Sequence, residues 1–127
     1  MKRLWLIDDD PIFRYVVRHL VKSNNLVDDF IEFENGELGW SELNRIHLKQ
    51  RPNLILLDIN MPVLNGWGFL DKLTSMQNDC LQTKILLISS SVAESDQIKS
   101  KQYPLLQGFI NKPISESDIC ALLQPSE

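Results

Sequence analysis

The chain has 127 residues, the length of one ordinary domain, with 43% hydrophobic and 24% charged residues in globular proportion. Its 13 basic and 17 acidic residues leave a formal charge of −4, which argues against a nucleic-acid-binding domain. No apolar run approaches the ~18 residues of a membrane span, Asp8 to Asp10 interrupt the apolar start too early for a signal peptide, and Cys80 and Cys120 make no disulfide framework, so a reducing cytoplasm is the expected compartment.

Along the chain, short apolar runs alternate with segments of helical spacing. Residues 4–7 form the first run. Residues 11–23 then place Phe13, Val16, Val17, Leu20 and Val21 on one stripe, with Arg14, Arg18 and Lys22 opposite. Asp10 before Pro11 reads as an N-cap followed by the proline favoured at the first helical position. The run at 30–33 is broken by Glu32 and reads as an edge strand. A helical segment at 38–48 leads to the apolar run 54–57, and another at 66–76 leads to the run 85–88. A short polar helix at 95–101 is ended by Pro104. The last run, 109–110, precedes a helix at 115–123 that Ser115 and Asp118 are placed to cap.

Most of these runs are continuous rather than alternating, as in parallel strands covered on both faces. Right-handed crossovers then predict an α/β domain, a single doubly wound five-stranded parallel sheet flanked by helices. With no linker or repeat, residues 1–127 read as one domain without an effector.

Ligands of such sheets bind at the carboxyl ends of the strands, so the residues just after each run carry the functional signal. They are Asp8, Asp9 and Asp10 after the first, Asp58 after the third, Ser89, Ser90 and Ser91 after the fourth, and Asn111, Lys112 and Pro113 after the fifth. Crowded carboxylates repel, and a hard divalent cation with all-oxygen ligation, Mg²⁺ or Mn²⁺, relieves them. One carboxylate then remains free to attack phosphorus, with the metal, an ammonium and a hydroxyl available for the charge on the transferring group.

Four segments, spread in order over the whole chain, resemble the response-regulator receiver domain of two-component signalling. They are Leu-Trp-Leu-Ile-Asp-Asp-Asp-Pro at 4–11, Leu-Leu-Asp-Ile-Asn-Met-Pro at 56–62 with Asn65-Gly66, Ile-Leu-Leu-Ile-Ser-Ser at 85–90, and Gly-Phe-Ile-Asn-Lys-Pro at 108–113. The resemblance implies a flavodoxin-like (βα)5 fold with strand order 2-1-3-4-5. It implies that Asp58 accepts the phosphoryl group, and that Mg²⁺ is held by Asp9, Asp58 and the Asn60 backbone carbonyl, with Asp8 acting through water. Lys112 would pair with the phosphoryl group, and the bond before Pro113 would be cis. Ser89 and Phe109 match the switch hydroxyl and switch aromatic, and Asn60 and Ser91 the two positions that tune phosphoryl lifetime. The implied partners are a sensor histidine kinase or phosphotransfer protein and a downstream protein target, with either a monomer or a phosphorylation-dependent dimer. Such a domain catalyses only its own phosphorylation and dephosphorylation.

Taken singly, each motif has a plainer explanation. Asp8 to Asp10 could be a cluster favoured by a helix dipole, Lys112-Pro113 a surface turn, and the serines a polar loop. Rival readings are a metal-dependent phosphatase with an aspartyl-phosphate intermediate, a phosphorylation-independent adaptor, and a nucleotide- or flavin-binding protein. Asn60, where such phosphatases carry a second carboxylate, disfavours the first. The presence of both Asp58 and Lys112 disfavours the second, and the lack of a Gly-rich loop after the first strand disfavours the third. Residues 91–108 depart most from the family pattern, with Leu106 and Gln107 in place of small residues before Gly108. Gln124 to Glu127 reads as a natural chain end, which would make the output a protein contact or onward phosphoryl transfer.

Overall fold

A computed structural model describes residues 3–61, 63–75, 83–90 and 93–123. Five parallel strands, β1 (Arg3–Ile7), β2 (Asp29–Phe33), β3 (Leu54–Asp58), β4 (Lys84–Ser89) and β5 (Leu106–Asn111), form one sheet in the order β2-β1-β3-β4-β5. The helices are α1 (Pro11–Ser23), α2 (Gly36–Arg45), α3 (Gly66–Ser75), α4 (Glu94–Ser100) and α5 (Glu116–Leu123).

The continuous apolar runs follow from two cores, one on each face of the sheet. Within β3, Ile55 and Leu57 join Trp5, Ile7, Leu43, Phe69 and Leu73 on one face. Leu56 between them points the other way, into Leu4, Leu6, Phe13, Val17, Ile88 and Ile119. Side chains alternate in a strand, so only a strand buried on both faces is apolar at every position. Strand β2 lies at an edge and is nowhere fully buried, in keeping with the interruption at Glu32.

Local chemistry sets the element ends. Asp10 caps α1 by accepting the Ile12 N–H at 3.0 Å. Ser115 and Asp118 cap α5 reciprocally, with Asp118 N–H donating to Ser115 Oγ at 3.0 Å and Ser115 N–H to Asp118 Oδ2 at 3.3 Å. The second helix starts and stops earlier than the expected 38–48. Asn35 accepts the Leu38 N–H at 2.9 Å and starts it at Gly36, and Ile46 is extended with ψ 158°, leaving residues 48–50 as a separate 3₁₀ turn. Strand β5 is longer than the apolar pair 109–110. It begins at Leu106, and the pairing with β4 shifts register between Ile85 and Leu86, where Gly108 takes φ +152°. Met76, at the expected end of the third helix, lies outside the described residues.

Helix α4 buries none of its own residues. It stands instead on aromatic contacts with α3. Trp67 packs 5.5 Å from the Tyr103 ring, Lys99 lies 5.0 Å over Trp67, and the Tyr103 hydroxyl donates to Asp71 Oδ1 at 2.6 Å. Trp67 is therefore a buried packing residue.

Gly66 opens α3 where the chain returns to the end of β3, its N–H donating to Ile59 O at 2.9 Å. A Cβ there would lie 2.7 Å from the Asp58 carbonyl oxygen and 2.9 Å from Ile59 Cα, both backbone atoms that cannot step aside. Gly66→Ala is accordingly expected to cost about 1–3 kcal/mol in urea unfolding. Ile98→Ala, on the exposed side of α4, should stay within about 0.5 kcal/mol of the parent.

Candidate functional site

The carboxyl ends of β1, β3, β4 and β5 bring the expected polar residues together. Asp8 follows β1 and is fully buried, Asp58 ends β3 and is 5% exposed, and Ser89 ends β4 and is 1% exposed. Asp9 is exposed, on the open side of the group. Oxygens of Asp8, Asp9 and Asp58 all lie within 4.8 Å of one another. Lys112 follows β5, and the Lys112–Pro113 peptide bond is cis as expected. The Lys112 ammonium reaches Asp8 Oδ2 at 2.7 Å and Asp58 Oδ1 at 3.8 Å, across the face of the Phe13 ring at 4.5 Å.

Backbone pairing fixes these positions. Asp8 N–H donates to Phe33 O at 3.0 Å, and its Oδ1 accepts the Asp10 N–H at 2.8 Å. Lys112 N–H donates to Ser89 O at 2.8 Å, tying the lysine's backbone to the end of β4. Asp58 is in register with Ile88, so Ser89 stands one residue further along the neighbouring strand. Phe109 is half-buried and packs against the core that contains Leu87 and Tyr103. Asn60 is exposed, and its backbone hydrogen bonds to the Asp58 carboxylate. Ser91 lies outside the described residues. The Asp10 side chain caps α1, as the sequence indicates.

The electrostatics are unbalanced. Burial, and next the charge of Asp8, push the Asp58 carboxyl up to about 7, against the lowering effect of Lys112. Burial also raises Asp8, despite its pairing with Lys112. Among the described ion pairs one ammonium faces Asp8 and Asp58, and Asp9 adds a third carboxylate to the group. Such an all-oxygen set with surplus negative charge and one exposed member fits a hard divalent cation.

Two residues at this rim carry roles that the sequence pattern did not assign. Phe13, counted in an apolar helical stripe, also forms the floor under Lys112. Arg14, counted on the polar side of α1, donates from Nη1 to the Asp8 carbonyl at 2.7 Å. The signal for Arg14 was Glu32, a carboxylate inside an apolar strand next to a helix with basic residues at 14 and 18.

A parallel α/β sheet in this strand order, with acidic residues after β1 and β3 facing a lysine after β5, defines the receiver class of signalling domains. The family model of the response regulator receiver domain matches residues 4–124, and the chain belongs to that family, a receiver domain of two-component systems. It is 32% identical over 118 residues, 93% of its length, to the nitrate/nitrite response regulator protein NarL of Escherichia coli. The chain spans about half the length of that relative, 51%. Among solved structures, a two component response regulator from Cytophaga hutchinsonii superposes with a TM-score of 0.86 at 25% identity, covering 96% of this chain and 93% of that one. The receiver domain of sensor histidine kinase PA1611 from Pseudomonas aeruginosa, with a magnesium ion coordinated in its active site cleft, has the same fold, with a TM-score of 0.77 at 18% identity over 97% of this chain and 94% of that one. No helix among the described residues is long and apolar enough to cross a membrane.

Because Asp58 and Asp8 hold protons more tightly when folded, the metal-free folded state is favoured at low pH. The contribution of Asp58 is fully present below its unfolded value of 3.8 and is lost as pH rises through about 7. Urea unfolding in chelator across this range should show Asp58→Asn to be more stable than the parent at pH 8, with the difference shrinking or reversing at acid pH.

Proposed function

We propose that the chain accepts a phosphoryl group on Asp58 from the phosphohistidine of a sensor histidine kinase or phosphotransfer protein. The observation that carries this reading is the burial of Asp58 at the end of a central strand, within 3.8 Å of the Lys112 ammonium and beside two further carboxylates. An Asp58 oxygen attacks phosphorus, the bond from phosphorus to the donor imidazole nitrogen breaks, and the imidazole leaves with its electron pair.

Mg²⁺, or Mn²⁺ in its place, would be held by Asp9, Asp58 and the Asn60 backbone carbonyl, with Asp8 acting through water, and would supply neutralisation of the phosphoryl oxygens. The magnesium ion in the cleft of the PA1611 receiver domain supports this assignment. Lys112 sits between Asp8 and Asp58 and has only to lean from one toward the other to pair with a phosphoryl group on Asp58. Ser89 donates its hydroxyl to the phosphoryl oxygens. The space that it vacates draws the half-buried Phe109 ring inward and changes the surface of α4, β5 and α5 that meets a downstream protein or a second copy of the chain. By the family resemblance, Asn60 and Ser91 are the two positions that set the lifetime of the phosphoryl group. Turnover is confined to the chain's own acyl phosphate, since Asn60 offers no acid for rapid hydrolysis, and the cytoplasm is the compartment that goes with such partners.

Intact-mass analysis after incubation with acetyl phosphate and Mg²⁺ tests the assignment. The parent should gain one alkali-labile phosphoryl group, and Asp58→Asn none. No adduct on the parent, or one retained by Asp58→Asn, rejects Asp58 as the acceptor. Steady phosphate release from assorted monoesters over many turnovers would select the phosphatase reading instead.

A further inference from the structure

The turn that presents the acidic pair is held from below by a charged network outside the family motifs. Asp8 spends its N–H on Phe33 and its Oδ1 on the Asp10 N–H, which leaves its carbonyl facing α1. Arg14 belongs to the first turn of α1, its own N–H donating to Asp10 O at 3.1 Å, so its side chain curls back under the loop. There Nη1 donates to the Asp8 carbonyl at 2.7 Å, while Nε lies 3.5 Å from Glu32 Oε1. Glu32 is held on its other oxygen by Arg18 Nη1 at 2.6 Å. Glu32 is also in register with Leu6, two residues before Asp8, so the network starts on the sheet directly below the site.

We propose that Arg14 is a positioning residue for metal binding, fixing the Asp8–Asp9 peptide from which the exposed Asp9 carboxylate projects, with Glu32 and Arg18 as its support. This rests on the metal assignment above. The Asp8 carbonyl belongs to the peptide plane shared with Asp9, so the Arg14 bond restrains the rotation that would swing Asp9 away from Asp58. The guanidinium suits the task because its rigid fork offers one nitrogen to Glu32 and another to the carbonyl at once. A lysine has one nitrogen on a flexible stem and cannot serve both. The side chains of Arg14 and Glu32 are 19% and 17% exposed, so the pair is more shielded than a surface ion pair and its geometry is correspondingly tighter. Glu32 would otherwise be a poor residue for the middle of an edge strand with an apolar face.

The test reads divalent-metal affinity on the chain alone, with no phosphodonor, by Mn²⁺ titration followed by electron paramagnetic resonance, alongside urea unfolding of each variant. Asp9→Asn tests the metal assignment, and Arg14→Lys, which keeps the charge, tests the positioning role. Arg14→Lys and Glu32→Gln should each weaken Mn²⁺ binding about tenfold, the scale on which residues behind metal ligands act. The double variant should be weaker than either single one by far less than the product. Arg45→Gln is the control, because its pair with Glu42 lies on the exposed surface of α2, and its affinity should equal the parent's. Parent-like Mn²⁺ affinity in folded Arg14→Lys and Glu32→Gln overturns the proposal while leaving the metal assignment intact. A loss that merely follows the unfolding midpoint, in Arg45→Gln as in the others, also overturns it. A parent that binds no Mn²⁺ removes the metal assignment and this proposal together.

Discussion

Two carboxylates, Asp8 and Asp58, are buried side by side with one ammonium between them, and the rest of the site is arranged around that shortage of positive charge. Lys112 sits 2.7 Å from Asp8 and 3.8 Å from Asp58, so it neutralises the first and only lowers the repulsion felt by the second. Burial, with the charge of Asp8, then pushes the Asp58 carboxyl up to about 7. A divalent cation or a proton answers the same deficit, and a phosphoryl group on Asp58 adds charge that Lys112 and Ser89 are placed to meet. On the proposed function, reactivity and switching thus share one electrostatic origin.

The fold produces this crowding because β1 and β3 are adjacent in the middle of the sheet and end at the same level. Apolar residues cover both faces of these strands, so the first polar residue after each run emerges already desolvated. Gly66 lets α3 start against the Asp58 backbone without displacing it. The tie from Lys112 N–H to the Ser89 carbonyl brings the lysine to the same rim from the outer strand. Helix α4 is attached through Trp67 and Tyr103 rather than by a buried face of its own.

Much of this was legible in the sequence because the runs at 4–7, 54–57 and 85–88 are apolar at every position, and only a doubly covered parallel strand demands that. Once the strands were placed, Asp8, Asp9, Asp58, Ser89 and Lys112 fell at their ends. Periodicity failed where burial is partial. Gln107 and Gly108 hid the first half of β5, an edge strand whose ladder depends on backbone pairing and not on its side chains. The bounds of α2 were obscured because Asn35 caps it ahead of the first apolar residue, Leu38. The roles of Arg14, Glu32 and the Trp67–Tyr103 stack depend on contacts between elements far apart in sequence, and no local spacing encodes those.

The deficit of positive charge at Asp58 can be read directly by following its carboxyl carbon with ¹³C NMR against pH, first in chelator and then with Mg²⁺. Without metal the midpoint should lie near 7, and with Mg²⁺ it should fall well below that in the parent but not in Asp9→Asn. An ordinary carboxylate midpoint near 3.8 in chelator, unmoved by Mg²⁺, would contradict the account.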